Sequence, residues 1–342
     1  MTIADPVSLG YRWPAEWEPH QATWLAWPHN AETWPGCLEA AQRQFAELVN
    51  SIAQFEPVRL LVGEGESLRT AERMLSGISN TQFHQIATND AWIRDHGPTF
   101  LSADQIEREA AIIDWKFNAW GNKYAPFDRD DSVPRRIGEL TGKRRFSADI
   151  VLEGGAIDGN GTGLLLTTDR CLLNPNRNPK LDRQQLESWL ARWLGTKKVI
   201  WLAGEIPGDD TDGHIDQIAR FIDRTTVILA DRPEHPMAQQ NQARLRQISE
   251  ELQIELKTKT LPMPAARWNG SQRLPTSYIN FYITNQAVIV PTFDDPADSV
   301  ACECLQDSFP NRKIVPQAAD ILVAGLGAIH CLTQQEPVSN LP

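Results

Sequence analysis

One cysteine near the C-terminus, Cys331, and one His-x-Asp pair, His214 and Asp216, are the residues of this chain whose types suit nucleophilic chemistry. They lie in two of four segments that join glycines to polar residues: Asn89–Pro98, Leu152–Gly155, Gly208–Asp216 and Gly325–Leu332. A purely apolar core does not require such segments, and glycine there permits close approach of other groups. Cys331 stands in glycine-rich, polar surroundings, whereas Cys37 and Cys171 read as inert buried hydrophobes. A catalytic cysteine and its histidine are normally distant in sequence, so His214 is the candidate general acid and base for Cys331. His330 is adjacent to Cys331 in a run that reads as a strand; it should therefore face away and serve packing. If residues 214 to 222 form a strand, His214 and Asp216 share one face, roughly 6 to 7 Å apart.

Asp95 and Glu153 bring further carboxylates from the other two segments. Three acids around a neutral thiol make electrostatic sense when a cation binds among them. A planar guanidinium suits paired carboxylates because its N–H groups form a fixed fork. Such a cation also favours the thiolate, since nearby positive charge lowers a thiol pKa. A different reading takes His214, Asp216 and His330 as the two-histidine, one-carboxylate set of a non-haem iron oxygenase. That reading leaves Cys331 unexplained and finds no basic residue after His330 to hold a 2-oxo acid. A dinucleotide turn at Gly325-x-Gly327 fails for want of its third glycine and downstream acid. Guanidinium binding without turnover stays open.

The elements that must position these residues read as recurring helix-then-strand units. Ala41, Phe45, Leu48, Val49 and Ile52 form one helical face within residues 38 to 54, followed by a buried strand Val58–Val62. A stripe from Leu186 to Leu194 ends at Gly195 and precedes the apolar run Val199–Leu202. Residues 238 to 252 and 298 to 308 are further helices, the latter leading into Lys313–Val315. Strands are also expected at Ala110–Trp115, Gly163–Thr168, Thr226–Ala230, and from Ile279 to Pro291 with a break at Asn285-Gln286. No linker or composition shift divides the chain, so residues 1 to 342 read as one α/β domain of repeated modules.

Composition bounds the partners. The chain has 342 residues, a net charge of −11 and a pI near 5.2, which argues against nucleic acid. Its 41% hydrophobic and 23% charged residues are ordinary for a globular protein, with no membrane span expected. The N-terminus lacks a basic, apolar signal segment, which predicts a cytoplasmic location. The five cysteines are scattered without a CxxC pair, so neither a disulfide framework nor a zinc site is expected. A homo-oligomer is compatible with all of this.

Taken together, the four segments resemble the agmatine deiminase family, which includes the bacterial-type peptidyl-arginine deiminases of the guanidine-modifying superfamily. The similarity runs from Pro14–Pro19 and Trp24–Pro28, through Asn174–Pro179 and Ser277–Tyr282, to Gly327–Pro337. It implies a five-bladed α/β propeller, the pentein fold, with pseudo-fivefold ββαβ repeats. Residue by residue, it implies Cys331 as nucleophile, His214 as acid and base, Asp95 and Asp216 as guanidinium ligands, and Glu153 beside the histidine. Trp92 and Asp210 complete the implied substrate site, and no metal or organic cofactor is required. The implied reaction converts agmatine to N-carbamoylputrescine and ammonia through a covalent thiouronium, a step toward putrescine. Asp210 stands where many relatives acting on agmatine carry glutamate, so peptidyl arginine, another small guanidine and amidino transfer remain open alternatives.

Overall fold

The computed structural model describes residues 5–103, 109–231 and 237–339. The N-terminal stretch weighed for a signal segment thus begins outside the described residues. Among the described residues there are six sheets, and five of them share one construction. In each, a short strand pairs antiparallel with a central strand, a helix follows, and the next strand returns parallel to the central one. Thr99–Ala103, Ala111–Lys116, helix Asp128–Thr141 and Arg144–Val151 form one such unit. Asp158–Gly159, Leu164–Thr168, helix Arg183–Leu194 and Lys198–Leu202 form the next. The pattern repeats with Ala219–Phe221, Thr226–Asp231, helix Met237–Leu252 and Lys257–Pro262. It repeats again with Tyr282–Ile283, Ala287–Thr292, helix Ala297–Ser308 and Lys313–Ala318.

The last unit joins the two ends of the chain. Gln334–Pro337 pairs antiparallel with His20–Ala26, helix Leu38–Ala53 follows, and Val58–Val62 returns parallel. Two units carry a fourth strand, Tyr11–Arg12 in one and Thr81–Gln85 in the other. The sixth sheet is a ribbon of Trp268–Asn269 and Gln272–Arg273.

Local sequence explains these elements. A parallel return needs a long crossover, which the helices supply. The central strands are apolar because both faces are covered; every residue from Ala287 to Pro291 is buried. Helix Leu38–Ala53 buries Ala41, Phe45, Leu48, Val49 and Ile52, the stripe read from its sequence. Helix Arg183–Leu194 starts with a capping box between Asp182 and Gln185 and stops at Gly195, whose φ of 72° suits glycine. The helices at 237–252 and 297–308 also follow the periodicity, and the apolar run after Ile279 does break between Ile283 and Ala287.

Two expected strands are not strands where the chemistry lies. The run from His214 opens with a single 3-10 turn, Ile215–Gln217, and pairs only at Ala219–Phe221. Cys331 sits in another 3-10 turn, His330–Leu332, ahead of the strand Gln334–Pro337. Alternation across a sheet therefore does not govern either segment. Helix Asp128–Thr141 escaped the sequence reading because it is mostly polar and contains Pro134.

These departures follow one arrangement. Each inner strand is preceded, within five residues, by a polar residue from a glycine-rich or turn segment: Asp95, Glu153, Asp216, Asn280 and Cys331. The turn at Ile93–His96 packs against those at Gly154–Ala156 and His330–Leu332, and Gly154–Ala156 packs against Ile215–Gln217. Among the described residues, no helix is long and apolar enough to cross a membrane.

The fully buried ring of Phe45 meets Trp27 edge-on, with centroids 5.6 Å apart. Phe45→Ala should destabilise the protein by about 3 to 5 kcal/mol, seen as a lower urea midpoint at unchanged m-value.

Candidate active site

A cavity of about 1030 Å³ is bounded by Cys331, Asp95, Trp92, Trp120, Tyr124 and Asp210, among other residues. Cys331 is 7% exposed and lies at its edge, while His214, Asp216 and Glu153 are buried behind it. The structure thus brings Cys331, Asp95, Trp92 and Asp210 to the cavity wall and places the other three predicted residues directly behind.

Gly155 shows where the side chains converge. A methyl group built there would lie 2.6 Å from His214 Nδ1, 2.7 Å from Asp95 Oδ1 and 3.2 Å from Asp216 Oδ2. Only a residue without a side chain leaves this cradle open. Asp95 is fixed by two donors: its Oδ1 accepts the Gly155 amide at 2.9 Å and its Oδ2 accepts Trp120 Nε1 at 2.9 Å. Asp216 Oδ2 meets His330 Nδ1 at 2.8 Å, accepts Asn280 Nδ2 at 3.2 Å and stands 3.5 Å from Cys331 Sγ. Asp216 Oδ1 is buried without a hydrogen-bond partner among the described residues. That orphaned oxygen is an acceptor awaiting a donor.

His214 uses its two nitrogens differently. Nδ1 faces the cradle, 3.6 Å from Asp95 Oδ1. Nε2 is buried without a hydrogen-bond partner, and so is Glu153 Oε2. Glu153 Oε1 accepts Arg177 Nε at 2.8 Å, and Arg177 Nη2 donates to the Thr211 carbonyl at 2.9 Å. Arg177 also pairs with Asp212, so one guanidinium ties the loop carrying His214 to Glu153. Cys171, read as inert, is fully buried but offers its sulfur within 4.8 Å of ligand atoms of both His214 and Glu153.

The electrostatics follow from this crowding. Burial disfavours a charged His214, yet Asp95, and behind it Glu153, hold its pKa well above the ordinary histidine value. Burial raises the Cys171 thiol, so that group is neutral and the carboxylates do the stabilising. Burial, reinforced by Asp216 and then Asp95, pushes the Cys331 thiol well above its ordinary value. Burial raises the Asp95 carboxyl against the opposing pull of His214. For Asp216 burial is overcome by the hydrogen bond and charge of His330, and its carboxyl is lowered. The surroundings thus push the Cys331 thiol and the His214 imidazole toward their protonated forms and Asp216 toward its anion.

Metal chemistry finds no support in these contacts. Glu153, Cys171 and His214 have metal-ligating types within 4.8 Å of one another, but Glu153 Oε1 is already paired with Arg177, whose positive charge beside the cluster disfavours a cation there. The iron set of His214, Asp216 and His330 fails because both His330 nitrogens are engaged, Nδ1 by Asp216 and Nε2 by Glu16 Oε2 at 2.8 Å. His330 is likewise not a packing residue facing away. Its turn is 3-10, so neighbouring side chains diverge without pointing to opposite faces.

Of the substrate-side predictions, Trp92 walls the cavity by packing on Gly327, where an added Cβ would fall 2.5 Å from the indole. Asp210 lies farther out, its carboxylate taken by the Tyr124 hydroxyl and its carbonyl by Lys123. Sequence reasoning missed Glu16, Asn280, Arg177 and Trp120 as site residues. The first three lie in the motifs Pro14–Pro19, Ser277–Tyr282 and Asn174–Pro179, and that clustering was their only signal.

Comparison with known proteins follows this geometry. A family profile described as Porphyromonas-type peptidyl-arginine deiminase matches residues 12–337. The chain is 38% identical to an agmatine deiminase of Pseudomonas aeruginosa (strain LESB58), across 98% of this chain and 97% of that protein. Its mixed α/β fold matches an agmatine deiminase structure from Enterococcus faecalis with a TM-score of 0.94 and 33% identity, covering 99% of each chain. It also resembles the agmatine deiminase of C. jejuni, with a TM-score of 0.83, 30% identity and coverage of 95% and 96%.

Gly155→Ala should abolish binding of small guanidines, measured by calorimetry, and the crowding should lower stability by about 1 to 3 kcal/mol with the fold retained. Iodoacetamide should alkylate Cys331 with a midpoint above pH 9 in the empty protein, and Asp216→Asn should lower that midpoint because a neighbouring negative charge is gone.

Proposed function

The chain belongs to the Porphyromonas-type peptidyl-arginine deiminase family, and we propose that within it this protein is an agmatine deiminase, hydrolysing the guanidinium group of agmatine to N-carbamoylputrescine and ammonia. The observation that carries this reading is the pair Asp95 and Asp216, buried on one cradle beside a nucleophilic thiol with an acceptor oxygen left over. A guanidinium supplies the N–H donors and the positive charge that this cradle lacks. The agmatine deiminases that the chain resembles along almost all of its length support agmatine as the substrate.

In the proposed mechanism the substrate cation enters between Asp95 and Asp216 and offsets the charge that keeps Cys331 protonated, so that the thiol gives its proton up to solvent through the cavity, the proton that later leaves with ammonia as ammonium. The thiolate attacks the guanidinium carbon to give a tetrahedral species held by both carboxylates. His214, already protonated and with Nδ1 on the cradle, gives its proton to the departing ammonia. An S-alkylthiouronium remains on Cys331. The now neutral His214 takes a proton from water, which attacks the same carbon, and the ureido product leaves as the thiol is restored. Glu153 steadies the imidazolium from behind, and Trp92 and Asp210 line the path of the substrate's alkyl amine. The chemistry runs through side chains alone, and the product leads toward putrescine.

In the same reading, the five strand-strand-helix-strand units are the blades of a five-bladed α/β propeller, with the site residues at the blades' inner strands. Residues 1 to 342 then make one catalytic domain, and the strand Gln334–Pro337 closes the ring on His20–Ala26.

Purified protein should release ammonia from agmatine in preference to arginine or a blocked arginyl peptide, and Cys331→Ala should reduce the rate by at least about a thousandfold with the fold retained. Full activity in Cys331→Ala would sink the nucleophile assignment. EDTA should leave the rate unchanged, whereas a strict iron requirement would restore the oxygenase reading.

A further inference from the structure

The imidazole of His330 meets a carboxylate oxygen at each ring nitrogen: Asp216 Oδ2 at Nδ1 and Glu16 Oε2 at Nε2, both at 2.8 Å. A neutral imidazole has one donor and one acceptor nitrogen, and so it satisfies only one of two carboxylates. Both bonds form together when the ring carries both protons. The ring is buried, and its position is set by its own backbone, whose amide donates to Asn280 Oδ1 at 3.0 Å.

Glu16 is itself built into the core. Its Oε1 accepts the Ile283 amide at 2.9 Å, and its Oε2 also faces Arg220 Nη2 at 2.8 Å and Arg94 Nη2 at 3.4 Å. Arg220 is held in turn by Asp158 at 2.5 Å and by the Phe281 carbonyl at 3.0 Å. Arg94 reaches Gln335 Oε1 at 2.8 Å and the His330 carbonyl at 3.3 Å. The His20–Glu56 pair lies on the outer side, where His20 Nε2 meets the Glu16 carbonyl at 2.7 Å. Two arginines are more positive charge than one carboxylate and its own packing need. Asp158 answers the excess by pairing with Arg220, and the other ring nitrogen of His330 meets Asp216.

We propose that His330, anchored by Glu16, is a positioning residue for Asp216: it pins Oδ2 and leaves Oδ1 free for the substrate's guanidinium. The proposal rests on the guanidine-hydrolysing reading above and adds to it a second tier of residues that never touches substrate. The charged and titratable groups facing Asp216 are His330, His214, Arg220, Arg94, Asp95 and Cys331. Of these His330 meets Asp216 through a ring nitrogen at 2.8 Å, and it leads the forces that offset burial. Without it a buried carboxylate beside Asp95 takes up a proton more readily, and a protonated Asp216 binds a cation poorly.

The test is the pH dependence of kcat/KM for agmatine in the full chain, with His330→Asn and Glu16→Gln as variants. An asparagine amide can still donate to Asp216 but carries no charge and does not reach Glu16. In His330→Asn the acid limb should move up by about one pH unit or more, and KM should rise more than kcat falls. Glu16→Gln should move the limb the same way by less. A packing role predicts a lower thermal midpoint with the limb in its wild-type place, and that result in the folded variants overturns the proposal. If His330→Asn does not fold, Glu16→Gln decides alone by the same criterion. Calorimetric guanidinium binding to the wild type separates the two readings. Binding without ammonia release defeats the agmatine reading, and the relay is then judged by the same shift in the pH dependence of guanidinium affinity. No binding at all overturns both.

Discussion

Two carboxylates buried beside one cradle repel each other and resist burial, and the neighbourhood of Asp95 and Asp216 is organised around that difficulty. The desolvation of each ion amounts to several kcal/mol, so neither stays charged in a dry interior without partners. Asp95 leans on His214 and on the Trp120 and Gly155 donors; Asp216 leans on His330 and Asn280. The compensation is incomplete by one donor, because Asp216 Oδ1 has no hydrogen-bond partner among the described residues. A ligand that brings positive charge and planar N–H donors finishes what the protein leaves undone, which makes recognition and charge balance the same event.

The same deficit governs the nucleophile. Burial and the negative field of Asp216 and Asp95 push the Cys331 thiol well above its ordinary pKa. A protonated thiol is a poor target for oxidants and alkylating agents, and so the site is protected until it is occupied. Asp95 and Glu153 likewise push the pKa of His214 well above the ordinary histidine value, which in the proposed mechanism keeps a proton ready for the leaving group. Neither residue is poised by itself; the arriving cation shifts the thiol toward reaction while Glu153 and Arg177 hold the imidazole's far side in place.

The scaffold makes this arrangement rigid. Each reactive side chain sits in a short turn just before an inner strand, and that strand is locked antiparallel to a buried central strand. Five equivalent attachment points bring Asp95, Glu153, Asp216, Asn280 and Cys331 together although they are spread over more than two hundred residues. Turns supply the irregular backbone that directs side chains into a cradle, and the sheets behind them supply precision.

Much of this was legible in the chain alone. The helical stripe from Ala41 to Ile52, the helix stop at Gly195 and the apolar central strands are local patterns, and they hold because burial acts on each element separately. The chemistry-bearing segments also announced themselves, since glycines beside polar residues have little use in a core. What the sequence could not determine is which atom faces which. Alternation along a strand placed His330 away from the site; a single 3-10 turn instead put it on Asp216 and Glu16. Glu16, Asn280 and Arg177 had no local pattern to mark them, because their partners lie between 24 and 314 residues away. Periodicity records whether a residue is buried. Only the tertiary fold decides with whom, because hydrogen bonds and ion pairs depend on ångström distances that spacing along the chain does not encode.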